Sequence, residues 1–361
     1  MRPLPHFFQI ALTLLVAVAA ALLCRWLRTP IPWMLGPLLG VAACSIAGAP
    51  TRSSALLRNV GQWVIGAALG LYFTPQVGAL VLKLWWAIAL GIAWALAIGW
   101  GFGLWLQRRH CSDLASLGAQ RLRATSYFAG AIGGASEMTL LSDRVGARTD
   151  LVAAAHSLRL VMVVISVPFA MQWAQGHWGL QVDPSLRSIG RPAEWPGLLW
   201  LAGITLAGSL LMLRLRRANP WFMGALLSTM ALTLSGQWWS AIPVWMSNAA
   251  QLFIGVSLGV RFQREFLSTA PRWLASVAMG TAVMLGVSAL FGWLMAIGVE
   301  QHPATMILGT SPGGIAEMAI TAKVLQLGVP VVTAFQVCRL VAVLLLVAPL
   351  FDWLERKGHL A

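Results

Sequence analysis

Apolar runs of about 18 residues or more recur along this chain, long enough to span the hydrocarbon of a bilayer as helices. In hydrocarbon a helix has the advantage of satisfying its own backbone N–H and C=O groups. With 58% of residues hydrophobic and 10% charged, the 361 residues read as an all-α polytopic membrane protein rather than two or three soluble domains. The formal charge of +14 comes from Arg and Lys in short clusters between apolar runs, which are topology signals and not a basic nucleic-acid domain. The expected partners are the lipid bilayer and a small-molecule or ion substrate, with no nucleic acid. Cys24, Cys44, Cys111 and Cys338 have no CxxC spacing and lie mostly in or beside apolar segments, so they read as packing residues. The run from Phe7 to Leu23 behind Arg2 has the outline of a signal peptide. It is read as a retained helix, because a similar run, Leu198 to Leu213, opens the second half.

The chain repeats itself. Pro32-Trp33-Met34-Leu35-Gly36 recurs as Pro220-Trp221-Phe222-Met223-Gly224 at an offset of 188, and Gly48 recurs as Gly236. Asn59, Gln62, Gly66, Leu69, Gly70 and Phe73 reappear as Asn248, Gln251, Gly255, Leu258, Gly259 and Phe262 at 189. Gly133-Gly134-Ala135-Ser136-Glu137-Met138 reappears as Gly313-Gly314-Ile315-Ala316-Glu317-Met318 at 180, each followed 22 residues after its Glu by an Arg, Arg159 and Arg339. Such order-preserving matches mark a duplication, with residues 1–175 as the first membrane repeat, 176–194 as linker and 195–361 as the second.

Six apolar elements are expected per half. They run over residues 7–24, 31–48, 56–73, 79–106, 125–143 and 151–171, then 196–213, 219–236, 244–262, 273–299, 303–325 and 330–351. The fifth of each half carries the Gly-Gly pair and the Glu, with Pro312 as well in the second. Gly and Pro free backbone groups that hydrocarbon cannot satisfy, so this element reads as a re-entrant or broken helix buried in protein. If it returns to its own side and the N-terminus is cytoplasmic, each half crosses five times and the second half is inverted. Of the 25 Lys and Arg, 17 then lie on the cytoplasmic side, six outside and two within the membrane; twelve full crossings give 11 against 12. The positive-inside rule therefore selects an inverted repeat of five transmembrane helices plus one broken element per half, both termini cytoplasmic.

A charge inside the membrane costs several kcal/mol unless it is paired or faces a wet cavity, so Glu137, Glu317, Arg159 and Arg339 mark the expected centre. A half-helix starting at Gly133-Gly134 or Gly313-Gly314 would point free N–H groups at a carboxylate or another small anion; the plainer reading is close helix packing. The candidate substrate or ion-binding residues are Gly133, Gly134, Ser136, Glu137 and Arg159, Ser311, Gly313, Gly314, Glu317 and Arg339. Asn59, Gln62, Asn248 and Gln251, each pair on one helical face with a Gly, complete the set, lining a cavity or joining helices. The two Glu read as proton carriers, cation ligands or counter-ions to the Arg. His156 and Gln336 each precede their Arg by three residues and share its face; the His reads as a proton relay or as a structural hydrogen-bonding residue. No Walker loop, HExxH, nucleophile elbow or metal-ligand spacing is present, so no cofactor, metal or catalytic residue is assigned.

With Ser311-Pro312-Gly313-Gly314-Ile315-Ala316-Glu317-Met318, the Arg339 helix and the duplication in hand, the chain resembles the AbrB family of bacterial inner-membrane proteins over nearly its whole length. Members are labelled as ammonia monooxygenases or as regulators of gene expression, and are distinct from the small DNA-binding regulators of the same name. The resemblance implies a multi-pass protein of the bacterial inner membrane. Three functions are weighed: a secondary active transporter of a small organic anion, which leads; a membrane oxygenase; and an indirect role in gene expression. No loop is long enough for a DNA-binding domain. Transporters of this layout are commonly homodimers.

Overall fold

The computed structural model of the protein describes residues 6–114, 117–178, 192–217, 219–262 and 270–356. Among them all regular structure is helical, in fifteen helices with no strand. The first half holds α1 (His6–Trp26), α2 (Pro32–Ile46), α3 (Ala55–Gly70), α4 (Pro75–Lys83), α5 (Trp85–His110), α6 (Ala119–Gly130), α7 (Ala135–Arg144) and α8 (Thr149–Trp178). The second holds α9 (Trp195–Arg214), α10 (Pro220–Leu234), α11 (Val244–Gly259), α12 (Pro271–Val299), α13 (Pro303–Thr310), α14 (Ile315–Val324) and α15 (Val329–Arg356).

Six helices, α1, α5, α8, α9, α12 and α15, are long and apolar enough to cross a membrane, and the chain is a multi-pass membrane protein. Their outward faces are apolar, with Leu15 on α1 and Leu199 on α9 each 68% exposed, as contact with lipid requires. Four of the ten expected crossings are shorter: α2 and α10 have 15 residues, α3 and α11 have 16. At 1.5 Å per residue they reach roughly 24 Å against about 30 Å of hydrocarbon. The helix α3 is followed after a break by α4, bent 88° from it, where Pro75 lacks the N–H that would continue the first helix. The corresponding second-half residues, 263–269, lie outside the described ones, as does most of the linker. The cysteines are free, three of them half-buried; Cys111 departs from the packing role, being exposed with its Sγ donating to the Arg108 carbonyl.

The duplicated residues do duplicated local work. Pro32 and Pro220 each open a helix behind a residue in the left-handed region, Ile31 at φ 47° and Asn219 at φ 48°. Gly48 and Gly236, at φ 88° and 79°, end those helices. In each, the glycine N–H and the next one close back on Ser45 and Cys44, or on Thr233 and Leu232, so the last carbonyls are satisfied.

The chain divides into two compact units, residues 1–83, 168–265 and 319–330 in one, and 84–167, 266–318 and 331–361 in the other. In the first, each half's third helix packs on the other half's second. A Cβ on Gly66 of α3 would lie 2.4 Å from the Phe222 carbonyl of α10, and one on Gly255 of α11 would lie 2.5 Å from that of Met34 on α2. In the second unit the equivalent helices α5 and α12 pack antiparallel. Trp94 stacks on Phe291 at 4.4 Å, Phe102 lies against Gly280 and His110 bonds Ser276, so numbers rise on one helix as they fall on the other.

Because the Gly66 and Gly255 backbones touch a facing carbonyl, Gly66→Ala and Gly255→Ala should each destabilise the fold by about 1–3 kcal/mol through overpacking. Gly101→Ala, at a helical position with nothing within 4 Å, should leave stability unchanged or raise it. Thermal unfolding in detergent, followed by tryptophan fluorescence, separates the two classes.

Candidate functional site

The fifth element of each half is two helices divided by four residues, 131–134 between α6 and α7 and 311–314 between α13 and α14. Having Ile132 where the second half has Pro312 does not remove the break. A helix that stops leaves its last C=O groups without helical partners, and both α6 and α13 stop among buried residues.

The trailing helices supply those partners. From α8, Arg159, 4% exposed, donates through Nη1 to the carbonyls of Gly130 at 3.2 Å and Ala129 at 3.5 Å, and through Nη2 to that of Ala131 at 2.8 Å. One turn earlier His156 reaches the Phe128 carbonyl through Nε2 at 2.9 Å, while its Nδ1 lies 2.7 Å from Arg159 Nη2. Carbonyl and guanidinium together assign the ring proton to Nε2 and the lone pair to Nδ1. From α15, Arg339, 6% exposed, donates to Ser311 O at 2.5 Å and Gly313 O at 2.6 Å, and to Gln336 Oε1 at 2.5 Å. Gln336 Nε2 reaches Leu308 O at 2.8 Å, Gly309 O at 3.2 Å and Ser311 O at 3.2 Å. His156 and Gln336 thus do the same two things: donate to the broken helix's carbonyls and accept from the Arg. The charges of Arg159 and Arg339 lie within coulombic range of each other.

The GGxxEM segment closes the other side of the break. Gly134 is the N-cap of α7 at φ −68°, a value open to any residue, so its lack of a side chain answers a different need. A Cβ there would sit 2.0 Å from Glu137 Oε2, and one on Gly314 would sit 2.0 Å from Glu317 Oε2. Each Glu, in the first turn of its helix, folds back over the second glycine. Carboxylates at that end are favoured by the helix dipole by about 0.3–1 kcal/mol. The first glycine admits the Met: a Cβ on Gly133 would meet Met138 at 2.7 Å, and one on Gly313 would meet Met318 at 2.8 Å. Glu317 is 8% exposed, whereas Glu137 is only partly buried. Arg339 Nε is buried without a hydrogen-bond partner.

The second unit therefore holds Gly133, Gly134, Glu137, Arg159, Ser311, Gly313, Gly314, Glu317 and Arg339. The Ser311 hydroxyl is spent on the Ile307 carbonyl at 2.6 Å. Ser136 lies in α7, but its side chain is outside the described residues. Asn59, Gln62, Asn248 and Gln251 belong to the first unit. Of these Asn59 joins helices, its amide donating to Ala55 O at 3.3 Å and accepting from Trp221 Nε1 at 3.1 Å. Sequence reasoning missed one further cluster, in which buried His110 lies 2.9 Å from Ser276 Oγ and 3.4 Å from Asp113 Oδ2, while Arg272 reaches Asp113 Oδ1 at 3.5 Å. The available signal was an Asp three residues after a His at the end of an apolar run. Among the described residues no three His, Cys, Asp or Glu side chains gather as metal ligands.

Because Gln336 performs in one half what His156 performs in the other, His156→Gln should keep the thermal midpoint within a few degrees of wild type and leave activity in place. Arg339→Ala removes the donor to the Gly313 carbonyl, at about 1–3 kcal/mol, and the donor to Gln336 Oε1, while the Ser311 carbonyl keeps Gln336 Nε2 and the Gly313 N–H; it should reduce the folded yield. Size-exclusion profiles and unfolding midpoints of the two variants check both; loss of activity in a stable His156→Gln protein would restore the relay reading.

A family model described as "Transition state regulatory protein AbrB" matches residues 33–355. The chain is 25% identical over 354 residues to "Uncharacterized protein YhjN" of Bacillus subtilis (strain 168), covering 90% of this chain and 88% of that one. It is 24% identical over 321 residues to "Putative regulator AbrB" of Escherichia coli (strain K12), with 88% of each chain covered. No solved structure matches. With the family model spanning most of its length, and with the GGxxEM breaks inside that span, the chain belongs to the AbrB family.

Proposed function

We propose that this protein is a secondary active transporter of a small solute, coupled to protons or another ion, and that the two breaks form its substrate site. The observation that carries the reading is the matched pair of broken helices, each with a buried Arg and a Glu inside an apolar helical protein. Broken helices place backbone dipoles and charges where a solute can meet them, at a cost that a purely structural bundle avoids. The antiparallel packing of the equivalent helices α5 and α12, and the reciprocal packing of α3 on α10 and α11 on α2, support two oppositely oriented halves, the arrangement that lets one site open to either side. Two guanidiniums bound to neutral carbonyls and amides favour a small organic anion.

The word "regulator" in the Escherichia coli relative's name fits this reading if the effect on expression is indirect, through the transported metabolite. The bacterial inner membrane is the proposed location.

Purified protein in proteoliposomes should show charge movement on a solid-supported membrane when challenged with small carboxylates, and not with amines. Glu137→Gln and Glu317→Gln should reduce the signal by at least about tenfold, the effect of removing about 1.4 kcal/mol of coupling. Silence to carboxylates, amines and pH jumps alike would count against transport of either class.

A further inference from the structure

The turns that follow Gly48 and Gly236 are matched in sequence but not in packing. Four residues after Gly236, Ser240 is buried and accepts from the Glu194 N–H at 3.0 Å. The chain there lies so close to α9 that a Cβ on Gly197 would sit 1.9 Å from the Trp239 carbonyl, and Trp238 and Trp239 pack on Leu71, Leu201 and Leu232. Four residues after Gly48 stands exposed Arg52, with Pro50 and Thr51 in place of the two tryptophans. At this turn a crevice of about 210 Å³ is left open. Ile10 and Leu14 of α1, Leu57 of α3 and Phe253 of α11 line it together with Arg52 and Ser53.

Arg52 is fixed to α1 by its backbone, whose N–H donates to Thr13 Oγ1 at 3.0 Å, about two turns into that helix. Its Nη1 donates to His6 Nδ1, which must be unprotonated to accept, so the pair carries one positive charge. Nε and Nη2 have no partner among the described residues, which leaves one edge of the guanidinium for a two-oxygen acceptor. No acidic side chain answers that charge: the sequence has no Asp or Glu before Asp113, and α11 has none. The 21 residues of α1 reach roughly 31 Å, about the thickness of the hydrocarbon, so its first turn lies at a membrane boundary and Ile10 and Leu14 run inward from it. The same stretches leave Phe7, Phe8 and Leu56 exposed to lipid. We propose that the crevice is a binding site for one anionic phospholipid of the surrounding bilayer, with its phosphate on Arg52 and part of an acyl chain between α1, α3 and α11. A guanidinium grips two phosphate oxygens, and the apolar walls take the chain. A zwitterionic lipid brings an ammonium as well, and no carboxylate on the lining elements receives it. The site does not depend on transport through the breaks.

The test is native mass spectrometry of the full-length protein released from detergent after titration with dioleoyl phosphatidylglycerol or dioleoyl phosphatidylcholine. The wild type should hold its first phosphatidylglycerol about fivefold more tightly than its first phosphatidylcholine, the factor that about 1 kcal/mol from one arginine near the membrane surface supplies. Arg52→Gln, at an exposed position whose backbone bond to Thr13 is kept, should bring the two lipids to equal affinity. Arg217→Gln, at an exposed position outside the crevice, should leave the preference unchanged. Ser53→Trp, which fills the crevice with an indole, should weaken the first binding of both lipids; if it does not fold, Arg52→Gln decides alone. Equal affinity for the two lipids in the wild type overturns the proposal, as does a preference that survives in folded Arg52→Gln. Loss of the preference in Arg217→Gln as well would assign it to diffuse surface charge, and displacement of the lipid by millimolar inorganic phosphate would make this a free-phosphate site; either result overturns the lipid assignment.

Discussion

A guanidinium laid on the carbonyls of a helix break is the contact on which this structure depends. Two unfavourable things meet there. A helix that ends inside an apolar protein leaves C=O groups that each cost several kcal/mol when unpaired, and an Arg buried in the same place costs at least a few more. Brought together they cancel much of each other: the carbonyl end of a helix carries about half a negative charge, and the guanidinium offers a planar fork of donors. Arg339 reaches Ser311 and Gly313 with two nitrogens at once, which the single point of a Lys ammonium does not reproduce. Breaking a helix here without an Arg, or burying an Arg without the break, would leave one cost uncompensated.

The other side of each break is closed from within. Glycine-Glycine-x-x-Glu-Met reads as a backbone hinge until the atoms are placed; then the second glycine makes room for a carboxylate and the first for a methionine. The four-residue gap therefore has its carbonyl end held by the helix that follows and its amide end covered by its own first turn. Because both halves use the same two devices, the matched segments share a way of interrupting a helix safely and not merely a pattern of apolar runs. His156 and Gln336 show how much the device tolerates, since a ring and an amide fill one role.

Much of this was legible in the sequence. Length and apolarity mark the six long helices, and the Gly-Gly pairs mark where the fifth element of each half breaks. Two things were not. The four short helices and the bend between α3 and α4 escape a hydropathy reading, because a run that stays apolar through a loop looks like a longer span. The partners of Arg159 and Arg339 escape it as well. Charge invites pairing each Arg with the nearest intramembrane Glu, yet the described guanidinium bonds run to a neutral side chain one turn earlier, His156 or Gln336, and to main-chain carbonyls, which every residue has and which no sequence pattern marks. The His110 cluster was hidden for a related reason: His110 and Ser276 are 166 residues apart, and only packing brings them together.

The same electrostatics bears on what such a site accepts. Arg159 and Arg339 are within coulombic range of each other and are bound to neutral dipoles, and α7 and α14 add the positive ends of two helices. The carboxylates of Glu137 and Glu317 lie in the first turns of those two helices, each folded back over its own glycine. A cation entering would have to share those carboxylates while facing two guanidiniums at low dielectric, where repulsion between like charges is least screened. If solutes do pass through these breaks, as proposed, the fixed charges admit anions at a smaller electrostatic cost than cations, and they do so because the arginines needed to keep the helices broken cannot leave.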